Sequence, residues 1–478
     1  MFFRQVFDPE LAQYAYLIGC QRTGEALVID PERDIDRYVE IANEEGLRIV
    51  AATETHIHAD FLSGAREFAE QHGTKLYLSD EGDEDWKYTW AKDSDYDVHF
   101  LKDNDTFQVG NIRIQAIHTP GHTPEHMSFL VTDLGGGASE PIGIASGDFV
   151  FVGDLGRPDL LETAAGVTGA REPSARRLFD STKRFLALED HVQVWPGHGA
   201  GSACGKALGA VPQSTVGYER RFNAALSFRE EQGFVDAILD GQPEPPIYFA
   251  RMKQLNKSGV PILGDLPLPK ACSIDELAEN GREEGAVIVD TRPDRKGFMA
   301  GHIPGSLHAP LGINFAMIVG SYVDPETNIY LLIDHADLEE AVRTLVRIGY
   351  DHVAGYASPA ALVERGLSEE VIDRIDFTDL PAETEGGERT VLDVRSAAEF
   401  RAGHVPGAMN IAHTRLAARL DEVPRDKPVM TYCRSGNRAS AAAALLASEG
   451  YDVTLVDGLF DVWPGRSKAE KGEPAGAA

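Results

Sequence analysis

The chain has 478 residues, too many for one hydrophobic core and enough for two to four domains. Its 76 acidic residues against 45 basic ones give a formal net charge of −31, which argues against nucleic acid and acidic membrane surfaces as partners. At 43% hydrophobic it has the composition of globular protein, and no stretch approaches the roughly 18–20 apolar residues that span a bilayer. The four cysteines, Cys20, Cys204, Cys272 and Cys433, are scattered, which speaks against a disulfide framework and for a reducing compartment. The N-terminus meets acid before any apolar run could form a signal sequence, so the expected location is the cytoplasm.

From Tyr14 to about Val194, short β-rich runs alternate with helical ones, as in A-L-V-I-D-P, D-I-D-R-Y-V-E-I-A-N-E-E-G and R-I-V-A-A-T. That alternation predicts a layered α/β architecture. The run T-E-T-H-I-H-A-D-F then places His56, His58 and Asp60 on a loop at a strand's end, where α/β sheets gather ligand sites. T-P-G-H-T-P-E-H follows with His122 and His126, then A-S-G-D-F with Asp148, then W-P-G-H-G with His198. One histidine alone is more often a surface or core residue than a ligand. Four clusters in this order, each with glycine or proline nearby, point to a metal centre suited to zinc, iron or manganese.

This series resembles the metallo-β-lactamase superfamily, whose H-x-H-x-D-H motif is followed by His, Asp and His. The sequence departs from it at Phe61, where a histidine that serves a second metal is usual. The G-R-P-D segment, with Arg157 and Asp159, is similar to the persulfide dioxygenases of that superfamily. The resemblance implies an αββα sandwich and a mononuclear Fe(II) held by His56, His122 and Asp148. His58, Asp60 and His198 would stand behind those ligands or hold water. The implied substrates are a small-molecule persulfide and dioxygen, with sulfite formed, and the class is commonly homo-oligomeric.

The residue chemistry agrees independently. Two histidines and one carboxylate leave up to three positions open on a six-coordinate ion, and iron(II) passes electrons where zinc cannot. Arg157 would pair either with a persulfide's carboxylate or with a partner inside the fold. A competing reading is a glyoxalase II-like zinc hydrolase that activates water on a thioester. A third is a sulfur-relay or sensor protein with a purely structural metal. Cys204, six residues after His198 among small residues, is a candidate carrier of persulfide sulfur near the metal.

Residues 207–256 read as mostly helical, and G-V-P-I-L-G-D-L-P-L-P-K as a linker. Beyond it lies an internal repeat. V-I-V-D-T-R…G-H-I-P-G matches T-V-L-D-V-R…G-H-V-P-G, pairing Asp290 with Asp393, Arg292 with Arg395 and His302 with His404. The resulting division is 1–261, 262–376 and 377–478.

In the last copy, P-V-M-T-Y-C-R-S-G-N-R-A puts Cys433 at the head of a loop that opens a helix. Inward-pointing N–H groups, the helix N-terminus, Arg434 and Arg438 all favour a thiolate there. Only four residues separate Cys433 from Arg438, a tighter loop than the five of tyrosine phosphatases, and one suited to sulfur. These motifs resemble rhodanese, which implies that Cys433 accepts a sulfane sulfur and passes it on. The first copy keeps the scaffold without the cysteine. Counting back from Gly349 and Gly450 sets Leu332 opposite Cys433 in an acidic loop, so this copy is expected to be an inactive spacer. The fold class expected is thus α/β, a metallo-β-lactamase αββα sandwich followed by two rhodanese-like α/β domains.

Overall fold

Strands built from β-branched and aromatic residues alternate with helices whose apolar stripes need a sheet to cover. The computed structural model describes residues 1–163, 169–242, 244–367, 369–380 and 387–463. Two compact units result, one of Met1–Leu266 with Val346–Gly349, the other of Pro267–Leu345 with Tyr350–Ala478.

The first unit holds two six-stranded sheets. One runs in chain order, β1 (Phe2–Asp8), β2 (Gln13–Cys20), β3 (Glu25–Ile29), β4 (Arg48–Thr53), β5 (Lys75–Ser79) and β6 (Val98–Leu101). The other contains β7 (Thr106–Val109), β8 (Ile112–His118), β9 (Met127–Asp133), β10 (Gly143–Gly147), β11 (Gln193–Pro196) and β12 (Ser214–Thr215), also paired in sequence. Strand β2 is buried at every position, as a strand covered on both faces must be. Tyr16, Ile18, Leu27 and Ile29 of the first sheet meet Ile114, Phe129, Val131 and Trp195 of the second in one core. On the outer face of the first sheet, Tyr38 and Phe68 come from helices Asp36–Glu44 and Ala65–His72. On that of the second, Leu178, Phe179 and Phe185 come from helix Arg171–Leu186. The expected αββα sandwich is therefore what forms. Residues 207–256 contain helices Val216–Phe222, Glu231–Leu239 and Phe249–Ser258.

The second unit holds two parallel sheets. The first has the order β14-β13-β15-β16, with β13 (Ala286–Asp290), β14 (Leu307–His308), β15 (Asn328–Leu332) and β16 (Val353–Ala357). The second has the order β17-β21-β20-β18-β19, with β17 (Asp373–Asp376), β18 (Thr390–Asp393), β19 (Met409–Asn410), β20 (Val429–Tyr432) and β21 (Val453–Asp457). Strand β17, which the sequence division leaves in the first copy, hydrogen-bonds to β21 in the second sheet.

The repeat is visible atom by atom. Arg292 forks onto Asp290 and donates to the Gly301 carbonyl, as Arg395 forks onto Asp393 and donates to that of Gly403. His302 stacks on Phe298 and His404 on Phe400, each ring Nδ1 bonded to the carbonyl of the same phenylalanine. These residues hold a turn in both copies. Register corrects one expectation. Asp290 pairs with Leu332 as Asp393 pairs with Tyr432, so Ile333, not Leu332, stands where the second copy has Cys433. The count from the downstream glycines missed by one because the first copy's connection to its glycine is one residue shorter.

Candidate functional site

Four strands of the sandwich end in the loops that carry the expected ligands. His56 follows β4, His122 lies between β8 and β9, Asp148 follows β10 and His198 follows β11. Ligand atoms of His56, His122 and Asp148 all lie within 4.8 Å of one another, and all three residues are buried. A second group, Asp60, His198 and Cys204, meets the same criterion. Asp148 stands between the two, with Oδ2 at 3.4 Å from His122 Nε2 and Oδ1 at 3.4 Å from His198 Nε2. Neither oxygen of this buried carboxylate has a hydrogen-bond partner. A buried polar group without a partner is costly, and a cation removes that cost. The residues present therefore fit a metal ion.

The histidines are turned so that Nε2 is available. His122 Nδ1 bonds the Arg157 carbonyl at 3.0 Å and His198 Nδ1 the Ala12 carbonyl at 3.2 Å. His56 Nδ1 lies 2.9 Å from the Thr55 hydroxyl, which donates to Asp30 at 2.9 Å. Such outer contacts fix the tautomer and the ring orientation of ligating histidines. Asp30 accepts from Thr55 in a left-handed backbone conformation (φ 53°), uncommon outside glycine. Burial and the neighbouring His58 and His122 hold the His56 imidazole well below its ordinary range, and burial lowers His122 also. Both are thus neutral, the form that ligates. His126 serves the centre differently. Its Nε2 accepts the Asp148 backbone N–H at 3.1 Å and its Nδ1 meets Thr119 Oγ1 at 2.8 Å, which fixes the Asp148 loop.

In the second unit, Cys433 is 1% exposed at the end of β20. Its Sγ accepts the Gly436 N–H at 3.1 Å, and Gly436, at φ 93°, then opens helix Asn437–Ser448. That left-handed conformation is open to glycine at little cost. Arg438 forks onto Glu399 at 2.6 and 2.8 Å. Burial opposes the Glu399 charge, but Arg438 outweighs it and holds the carboxyl down at about 2. Arg434 is largely exposed, its guanidinium 3.6 Å from Asp461. Both arginines face carboxylates, so the N–H groups of the loop and the helix N-terminus remain the unshared positive field at the sulfur.

Two family patterns match the chain: the metallo-β-lactamase superfamily over residues 8–198, and the rhodanese-like domain over residues 273–369 and 376–465. A crystal structure of a metallo-β-lactamase from Staphylococcus aureus subsp. aureus COL is 44% identical to the chain. It superposes with a TM-score of 0.69, covering 75% of this chain and 99% of that one. The chain belongs to the metallo-β-lactamase superfamily. Two rhodanese-like domains follow the family domain. Among curated relatives, the mitochondrial persulfide dioxygenase of Bos taurus is 26% identical over 234 residues, 48% of this chain and 77% of its own. A probable polyketide-biosynthesis zinc-dependent hydrolase of Bacillus velezensis is 25% identical over 209 residues, 44% of this chain and 82% of its own.

Within the metallo-β-lactamase domain, the remaining candidates fall as follows. His58 Nε2 lies 3.1 Å from Asp30, and its ring packs on Phe61, which is fully buried. Burial opposes its charge, yet Asp30 and Glu54 hold it up at about 9. Arg157 is fully buried and forks onto Asp159 at 2.9 and 2.7 Å, with Nη1 on the Ala203 carbonyl at 3.1 Å. Its guanidinium serves the fold, the second of the two roles open to it in the sequence. Burial, Asp148 and Asp60 push the Cys204 thiol up to about 12. Sequence reasoning missed Asp30, Thr55 and Asn256. Asn256 donates to the His58 and Phe61 carbonyls at 2.8 and 2.7 Å and accepts from the Ser63 N–H at 2.9 Å. The D-P that follows β3 was a signal for Asp30; for Asn256, inside a helix about 200 residues beyond the motif loop, there was none.

Proposed function

We propose that the metallo-β-lactamase domain oxidises a low-molecular-weight persulfide with dioxygen to sulfite at a mononuclear Fe(II), and that Cys433 transfers sulfane sulfur to give thiosulfate. The observation that carries this reading is the triad of His56, His122 and Asp148, with the unpartnered Asp148 carboxylate at its centre. The persulfide dioxygenases among the relatives support it, as do the rhodanese-like domains on the same chain. Iron(II) at such a site supplies reactivity with dioxygen that zinc lacks. Around it, Thr55 and the Arg157 carbonyl orient the histidines, and burial keeps bulk water out.

The overall reaction balances as persulfide, dioxygen and water giving thiol, sulfite and two protons. In the second step, the Cys433 thiolate attacks the outer sulfur of another persulfide, forming an S–S bond and releasing a thiolate. Sulfite then attacks the outer sulfur of the Cys433 persulfide, forming thiosulfate and restoring the cysteine thiolate. No external oxidant enters this step. The proposed setting is a reducing cytoplasm, in keeping with four cysteines that are all free. No described helix is long and apolar enough to cross a membrane. A homo-oligomer is proposed by analogy with the class.

One observation favours a second reading. Asp60, His198 and Cys204 supply three donors for a second ion despite Phe61, which suits a two-zinc hydrolase. Metal analysis and oxygen uptake on anaerobically purified full-length protein separate the two. The dioxygenase reading expects about one iron per chain and oxygen consumption on adding glutathione persulfide. Two zinc ions, thioester hydrolysis and no oxygen uptake overturn it.

A further inference from the structure

The sequence division gives Arg347 to the first rhodanese copy, yet Val346–Gly349 belong by their contacts to the first unit. They form the end of helix Leu338–Arg347 and the turn after it, where helical carbonyls lack partners of their own. Residues of the first unit supply those partners. Arg33 donates to the Val346 carbonyl at 3.3 Å, and Arg251 to those of Ile348 and Gly349 at 2.6 and 3.0 Å. The Arg347 carbonyl accepts the Leu62 N–H at 2.7 Å. Leu62 stands two residues beyond Asp60 in the H-x-H-x-D loop.

The Arg347 guanidinium is buried as well. It forks onto Asp34 at 2.8 and 2.6 Å and reaches Asp8 Oδ2 at 2.7 Å. The other oxygen of Asp8 accepts the Glu10 and Leu11 N–H groups at 2.7 and 3.3 Å, which fixes the turn that runs to Ala12. Ala12, itself left-handed (φ 51°), takes the His198 Nδ1 hydrogen bond on its carbonyl at 3.2 Å. Two arms therefore leave Arg347. One runs through Asp8 and Ala12 to His198, the other through Leu62 to Asp60. Their ends meet, with His198 Nε2 3.1 Å from Asp60 Oδ2. The same Nε2 lies 3.4 Å from Asp148 Oδ1.

We propose that Arg347, far outside residues 8–198 that carry the family pattern, is a positioning residue of the metal centre, setting Asp60 and His198 against each other and against Asp148. This rests on the reading of His56, His122 and Asp148 as a metal site. A guanidinium suits the role because its rigid fork meets two carboxylates in fixed directions, whereas an ammonium is a point charge. Without the fork, two buried carboxylates lose their shared cation, a cost the chain relieves by loosening the turn of residues 8–12. The Ala12 carbonyl then no longer holds the His198 ring, and Leu62 no longer holds Asp60. Arg347 acts only through these two loops.

The test is Arg347→Lys in the full-length chain, with metal-free protein titrated with Co(II) against a chelator. Affinity should fall roughly tenfold, as it does when other groups that orient metal ligands are lost. The Co(II) absorption bands, which report ligand geometry, should shift. Sulfur transfer from thiosulfate to cyanide through Cys433 should match the wild type. Asp8→Asn, which cuts one arm and leaves the Asp34 fork, should move affinity and bands the same way by less, and it carries the test should Arg347→Lys not fold. Phe68→Leu, a core substitution in the same unit, should lower the thermal midpoint and leave Co(II) affinity and bands unchanged. Wild-type affinity and bands in both Arg347→Lys and Asp8→Asn overturn the proposal, as does an equal loss of affinity in Phe68→Leu. A wild type that binds no metal overturns the metal-site reading, and this one with it.

Discussion

At the scale of single residues, the metal centre depends on groups that touch no metal. Thr55 links His56 Nδ1 to Asp30, and Asp30 also accepts the Thr55 backbone N–H at 2.6 Å. The relay ends on a carboxylate in a left-handed backbone conformation, so the loss of one hydroxyl unlinks the histidine ring from Asp30, which keeps the Thr55 N–H and His58 as partners. Thr55→Val keeps the shape and removes the bridge. Metal affinity, read by chelator competition, should fall roughly 10- to 100-fold. Unchanged affinity would show that His56 is oriented by packing alone. The motif histidines were legible at this scale because each lies beside a turn signal in its own short segment. Thr55 was inside the same segment, but its role depends on Asp30, which the fold brings in from the preceding strand.

Among elements, helix Phe249–Ser258 is what closes the H-x-H-x-D loop. Asn256 inserts three hydrogen bonds among the backbone groups of residues 58–63, a stretch of irregular chain with no ladder of its own. Trp90 extends the attachment, its indole N–H donating to the Asn256 carbonyl at 3.1 Å. Asn256→Ala would leave two buried carbonyls and an N–H without partners, each costing about 1–3 kcal/mol. The expected result is a clear fall in the thermal midpoint together with loss of bound metal. A variant with wild-type stability and metal content would reduce this helix to a cover. The same scale explains the misplaced residue in the first rhodanese copy. Glycine-to-glycine counting assumes equal connections, whereas strand pairing is fixed by backbone hydrogen bonds and so puts Ile333 at the cysteine position.

For the whole molecule, the proposed chemistry joins a step that makes sulfite to one that consumes it. Sulfite is a reactive nucleophile, and having both sites on one chain places them in a one-to-one ratio. Cys433→Ser should therefore abolish thiosulfate formation from persulfide and oxygen while sulfite accumulates at an unchanged rate of oxygen uptake. Product analysis by ion chromatography decides it. Joint loss of both products would show that the two sites do not work independently. The first rhodanese copy also changes meaning at this scale. Expected from its acidic, cysteine-less loop to be a spacer, it places Arg295 and His308 against the other copy's loop and helix.

The order of the ligand clusters, the tandem repeat and the Cys433 loop were written in the sequence because each is local: a turn, a strand end or a short motif with fixed spacing. The sandwich followed from the alternation of strands with helices. Tertiary structure alone decided which groups complete these motifs. Asp30 behind His56, Cys204 beside Asp60 and Asn256 under the motif loop are separated from their partners by about 25 to 200 residues. No spacing rule spans such distances; only the packing of distant elements around buried polar groups brings them together.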